Sequence, residues 1–216
     1  MKITQKLSIL DIFLALFFVF WTANVALKTK LITSFDQALI QQFYHHNDWS
    51  LNIFKPITNM GDTIPTILLA TIFFIILICK KYYYAGIFLV LNKVVVALLN
   101  SLIKNIMDRP RPSHHHYVYA GGFSYPSGHS ASSFALYISL LIISFFIIKK
   151  TSIKFIISIL AIIAVVLVGF SRIFLGVHYP SDVLGGYTLA ATILTFNTLL
   201  FRAKNLSILQ LKGIQN

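Results

Sequence analysis

The chain has 216 residues, 57% of them hydrophobic and only 11% charged, whereas a water-soluble domain carries about a quarter charged residues. This composition excludes a disordered chain and argues against an ordinary soluble enzyme. Eighteen basic residues against six Asp and no Glu give a net charge of +12. That charge lies between long apolar runs, which points to a membrane surface and an anionic substrate and not to nucleic acid.

Six stretches approach the roughly 20 apolar residues that cross a bilayer as a helix. They are Leu7 to Leu27, Ile64 to Cys79, Ala85 to Ile103, Ala131 to Ile148, Ile153 to Phe170 and Val183 to Phe201. The first is not a cleavable signal, because its apolar core is too long and no small-residue cleavage site precedes Lys28. The connection from Lys28 to Asp62 is long for a turn. It reads either as a plain folded loop or as a short helix capped by Ser34. In the second case Phe35, Leu39, Ile40 and Phe43 share one face at headgroup level, with Tyr44 and Trp49 at the interface.

The second stretch is short, but Lys80 and Lys81 can snorkel and Tyr82 to Tyr84 form an interfacial belt. Cys79 is the sole cysteine, so neither an internal disulfide nor a Cys-based zinc cluster can form. The third stretch contains Asn92, Lys93 and Asn100. A mid-membrane Lys costs about 2.5–3.5 kcal/mol and calls for a partner. Asp11, the one acid inside a span, is the expected partner; the alternative is that each side chain snorkels to the inner surface.

Ten basic residues and no acid fall in the two termini, the second hinge and the fourth hinge, among them Lys2, Lys204 and Lys212. Seven basic residues and five of the six Asp fall on the other side. The bias of Lys and Arg toward the cytoplasm makes both termini cytoplasmic and turns the three long connections outward. The expected fold is all-α: a polytopic membrane protein with six transmembrane helices in one domain over residues 1–216.

The polar chemistry is concentrated in residues 104–182. Lys104 is followed after six residues by Arg111-Pro112. Pro126-Ser127-Gly128-His129 stands directly ahead of the fourth span. Ser171-Arg172 is followed after five residues by His178 and after three more by Asp182, leading into the sixth. In this order, and each at an outer edge, the three motifs resemble the type 2 phosphatidic acid phosphatase family, membrane relatives of bacterial acid phosphatases and vanadium haloperoxidases.

The resemblance implies a metal-independent phosphatase, without cofactor, that works through a phosphohistidine. His178 would be the nucleophile, Asp182 its orienting group and His129 the acid for the leaving group. Lys104, Arg111, Ser127, Gly128 and Arg172 would bind phosphate, with Pro112, Ser171 and Arg109 in a second tier. Bacterial relatives of this size act on undecaprenyl diphosphate, phosphatidylglycerol phosphate or phosphatidic acid. The implied partners are a lipid phosphate and membrane lipids, with no obligate protein partner, and the implied location is a multi-pass cell-membrane protein with an outward site. A phosphotransferase of the same family and, more remotely, a transporter are the alternatives.

The physical chemistry agrees with those roles. Phosphoryl transfer spreads negative charge over the equatorial oxygens, and two guanidinium groups and an ammonium can neutralise it. A helix beginning at the Pro126–His129 motif offers unpaired N–H groups and the positive end of its dipole. Pro180 suits the first turn of the sixth helix, which sets Asp182 just inside that turn and His178 immediately before it. Consecutive His114, His115 and His116 cannot easily converge on one ion, so they read as a solvated loop. Arg109 and Asp108 are expected to pair locally or shape the proline turns, and Ser171 to bond back to its own helix.

Overall fold

The computed structural model describes residues 3–44 and 47–203. Among these the chain forms eight helices and no strand: α1 (Ile3–Ala26), α2 (Lys30–Phe43), α3 (Asp48–Asn59), α4 (Thr63–Cys79), α5 (Tyr83–Met107), α6 (Gly128–Ile147), α7 (Thr151–Phe174) and α8 (Pro180–Ala203). Five of them, α1 and α5 to α8, are long and apolar enough to cross a membrane. The remaining stretch becomes α4, whose 17 residues reach only about 25 Å at 1.5 Å per residue. It joins α3 at a 48° bend, and only the two taken together, as a broken span or a re-entrant loop, are long and apolar enough to bring the spans to six. Lys2, Lys204 and Lys212, which entered the charge comparison, lie outside the described residues.

The connection after α1 is not a plain loop. It holds two helices, and α2 begins at Lys30 behind Thr29 in extended conformation, five residues earlier than a cap at Ser34 would give. Phe35, Leu39, Ile40 and Phe43 do share the inward face of α2, but Ile32 and Asp36 are its fully buried members. Asn47 starts α3 by accepting from Ser50 N–H, while the Ser50 hydroxyl accepts from Asn47 N–H. This reciprocal arrangement satisfies two otherwise orphan donors.

Helix α8 is the least apolar of the long helices and the most buried. It packs against α1, α5, α6, α2 and α7. Small residues make that contact close: a Cβ on Gly186 would stand 2.6 Å from the Ser127 carbonyl, and one on Gly185 would collide with the Tyr125 ring. Deeper in the bundle, Asn197 donates to Asn92 at 2.8 Å and Asn92 to the Phe88 carbonyl at 2.9 Å. This polar stitch ties α8 to α5 among the buried Phe88, Leu89 and Leu136.

The expected Lys93–Asp11 pair does not form. Lys93 donates to Thr66 Oγ1 at 3.1 Å and Ser132 Oγ at 2.5 Å, while Asp11 Oδ1 is buried with no hydrogen-bond partner. The reason is helix adjacency: α1 packs chiefly on α8, whereas the Lys93 face of α5 looks toward α4 and α6. Charge complementarity alone does not say which helices are neighbours.

Candidate active site

Five helix ends meet at one end of the bundle: the last turns of α5 and α7, the first turns of α6 and α8, and the bend between α3 and α4. The long connection from Asp108 to Ser127 closes over them, with Ser124 N–H bonded to the Arg109 carbonyl at 2.8 Å and Tyr117 N–H to the Leu175 carbonyl at 3.1 Å.

Pro180 opens α8 as its first residue, a place that needs no N–H. Asp182 then folds back within that first turn, where its Oδ2 accepts from Tyr179 N–H at 2.9 Å and from His178 Nδ1 at 3.2 Å. The Ser124 hydroxyl also donates to Oδ2, and Arg109 Nη1 donates to Oδ1 at 2.7 Å. Asp182 is fully buried and His178 is 2% exposed. On the far side of the ring, Arg111 Nη1 stands 3.1 Å from His178 Nε2. A guanidinium can only donate, so Nε2 accepts and Nδ1 carries the proton toward Asp182. Burial first, then the nearby Arg172 and Arg111 charges, lower the His178 pKa from 6.5 to about 3 despite the opposing Asp182. The ring is therefore neutral, with its Nε2 lone pair outward.

Three cations gather around it. Arg111 is braced by the carbonyls of Gly122 at 3.0 Å, Gly121 at 2.8 Å and Val177 at 2.6 Å. Lys104 donates to the Phe123 carbonyl at 2.6 Å. Arg172, only 3% exposed, donates from Nη1 to Thr58 Oγ1 at 2.7 Å, while its Nε is buried without a partner. An unsatisfied donor of this kind is costly and suits an anion. Ser127 caps α6, its Oγ accepting from the Ser130 hydroxyl at 2.9 Å, so the hydroxyl serves the helix start. A Cβ on Gly128 would find only Asn100 Oδ1, at 3.5 Å, which leaves room for a ligand against that backbone.

His129 Nε2 lies 2.5 Å from Asp62 Oδ1, with the two side chains 22% and 42% exposed. Asp62 immediately precedes α4, so the α3–α4 bend supplies both this carboxylate and Thr58.

The second-tier residues have other employment. Arg109 does not pair with Asp108. It bridges Asp182 to Asp36 on α2, at 2.7 and 2.8 Å, and also donates to Ser181 Oγ at 2.8 Å. Its guanidinium lies 4.1 Å from the centre of the Tyr179 ring. Ser171 bonds back to the Val168 carbonyl at 2.6 Å. Pro112 offers its carbonyl to His116 Nε2 at 2.8 Å, whereas His114 lies tilted against Tyr44 and His115 meets Tyr117 edge-on, so the three histidines face different partners.

Four polar residues at or just behind the site escaped the sequence reading: Asp36, Thr58, Asp62 and Ser124. Scarcity of acid was the available signal for two of them. With six carboxylates in the whole chain, each one outside the motifs merited a partner among the motif cations and histidines.

The PAP2 superfamily pattern matches residues 66–206. The chain is 31% identical over 184 residues to phosphatidylglycerophosphatase B of Bacillus subtilis, covering 81% of this chain and 87% of that protein. It is 35% identical over 125 residues to an undecaprenyl-diphosphatase of Sulfolobus acidocaldarius, covering 55% and 56% of the two chains. The crystal structure of a transmembrane PAP2-type phosphatidylglycerolphosphate phosphatase from Bacillus subtilis superposes with a TM-score of 0.77 at 30% identity, over 90% of this chain and 96% of the other. Aquifex aeolicus LpxE shares the fold, with a TM-score of 0.58 at 23% identity. Matching motifs, the same helical architecture and similarity across most of the chain place it in one family: this protein belongs to the PAP2 superfamily and is a membrane-embedded phosphatase.

Proposed function

We propose that the protein hydrolyses the terminal phosphate of a membrane lipid through a phosphohistidine on His178, at the extracytoplasmic face. The observation that carries the reading is the His178 ring itself, with Nδ1 held by Asp182 at 3.2 Å and Nε2 presented to Arg111 at 3.1 Å. An arriving phosphate takes over the Arg111 donor and the unpaired Arg172 Nε, and the freed Nε2 lone pair attacks phosphorus. The bond to the leaving oxygen breaks, and His129 supplies its proton. Asp182 stabilises the imidazolium character that develops. Water then attacks phosphorus, giving a proton to His129, the phosphorus–nitrogen bond breaks with its electron pair returning to His178 Nε2, and inorganic phosphate departs.

Phosphatidylglycerol phosphate and undecaprenyl diphosphate are the favoured substrates, on the names of the two relatives, with phosphatidic acid as a third candidate. An apolar groove of about 660 Å³ runs between α4, α6 and α7 and ends at Met60 beside the bend, a suitable bed for an acyl or prenyl chain. The outward face follows from the excess of Lys and Arg on the opposite side.

The test is phosphate release from a panel of lipid mono- and diphosphates by the purified protein with a chelator present. Wild type should turn over, and vanadate, a mimic of the five-coordinate phosphoryl centre, should block it. Brief exposure to labelled substrate should leave acid-labile label that His178→Ala abolishes together with turnover. Retained activity in His178→Ala sinks the mechanism.

A further inference from the structure

Lys93 stands in the middle of a spanning helix, and the reaction above leaves it unused. It lies on α5, eleven residues before Lys104 and seven before Asn100. At 100° per residue these spacings put all three on nearly one face of the helix. That face lines a cavity of about 310 Å³ between α4, α5 and α6, whose walls include Gly128, His129, Asn100, Thr66 and Ser132 around Lys93. Lys93 Nζ contacts two hydroxyls, Thr66 at 3.1 Å and Ser132 at 2.5 Å. Among the described residues no carboxylate lies within ion-pair distance of it.

Ser132 follows His129 by three residues on α6, so the ammonium sits about one helical turn, roughly 5 Å, deeper than His129. The cavity therefore begins where the leaving oxygen would take its proton, and it has an unneutralised cation inside it. A charge in such a place is costly to maintain. Two neutral hydroxyls do not compensate it, whereas an anion entering the cavity would.

Resting on the lipid phosphatase reading, we infer that Lys93 receives a second phosphate, the one retained by the leaving group. The site then selects lipids whose departing part is itself anionic. A lipid diphosphate departs as a lipid monophosphate, and phosphatidylglycerol phosphate departs with its phosphodiester charge. Phosphatidic acid departs as a neutral diacylglycerol and gains nothing from Lys93. In the chemical step the phosphorus–oxygen bond breaks as the bond to His178 Nε2 forms. Lys93 keeps its protons and acts only as a fixed charge.

The experiment compares kcat/KM within two matched pairs: dihexanoyl phosphatidylglycerol phosphate against dihexanoyl phosphatidic acid, and farnesyl diphosphate against farnesyl phosphate. Lys93→Met should lower the ratio within each pair by about 10- to 100-fold, the size of one charge-assisted hydrogen bond. Lys93→Arg should keep most of it. Because each ratio comes from one protein sample, a partly misfolded variant changes both members equally and leaves it unmoved. An unchanged ratio in Lys93→Met, with wild type active, overturns the role of Lys93 alone. A wild type inert on all four compounds, or a His178→Ala protein that still turns them over, overturns the phosphatase reading beneath it.

Discussion

The two histidines of the site live in opposite surroundings. His178 is 2% exposed, and its partner Asp182 accepts four hydrogen bonds and has no exposed surface. His129 is 22% exposed, its partner Asp62 is 42% exposed, and a cavity opens beside it. The difference fits the tasks proposed for them, His178 as nucleophile and His129 as proton donor. A nucleophile meets the same phosphoryl group in every turnover, so its geometry can be fixed by packing. A proton donor meets leaving groups of different shape and charge and needs open space around it.

The strongest way to break the comparison is to open the closed half. Arg109→Leu would strand two buried carboxylates, Asp36 and Asp182. Removing one partner from such a network costs about 3–5 kcal/mol, so unfolding in detergent should occur at clearly lower denaturant, with turnover lost on every substrate. Asp36→Asn should cost less, because the amide oxygen still accepts from Ser181 N–H at 2.8 Å and Arg109 keeps its bond to Asp182, although the amide nitrogen can no longer accept from Arg109 or from the Ser181 hydroxyl. An Arg109→Leu protein as stable as wild type would show that the closed half is not held by charge.

A smaller effect, confined to rate, should come from the open half. A positioned general acid supplies about 10²–10⁴-fold. His129→Ala should lose that much on alkyl monoesters and less on aryl phosphates or diphosphates, whose leaving groups need little help. Asp62→Asn should move in the same direction by a fraction of this, with stability unchanged. Equal losses across leaving groups would remove the proton-donor role.

The effect that is absent at neutral pH and grows only in acid sharpens the contrast in another way. The folded protein holds His178 near a pKa of about 3, against an ordinary 6.5. Between those values the unfolded chain takes up a proton that the folded chain refuses. Stability from this group is therefore full above pH 6.5 and declines as pH falls toward 3. His178→Gln should flatten the acid side of the thermal midpoint against pH curve, and an unaltered slope would contradict the buried neutral ring.

In both halves the parts legible from sequence were those whose geometry is made within one turn of chain. His178, Asp182 and Pro180 make their geometry within one turn of chain, and the Pro126–His129 motif lies directly at a helix start, so local rules suffice. Asp62 and Thr58 reach the site only because the α3–α4 bend folds over α6 and α7, and Asp36 only because α2 lies on α8. The Lys93–Asp11 expectation failed on the same ground, since opposite charge could be read along the chain but helix adjacency could not. In the connection after α1, apolar spacing gave the inward face of α2, while its start followed Thr29 and not Ser34.

The Arg111 contact to His178 Nε2 has a chemical consequence for the resting enzyme. Its most reactive lone pair is already engaged by a donor that only an anion can draw away. Uncharged electrophiles such as acylating reagents would meet the more accessible His129 first and leave His178 dormant. On the proposed mechanism selectivity would thus begin before any bond is made, because the substrate's own charge would free the attacking lone pair.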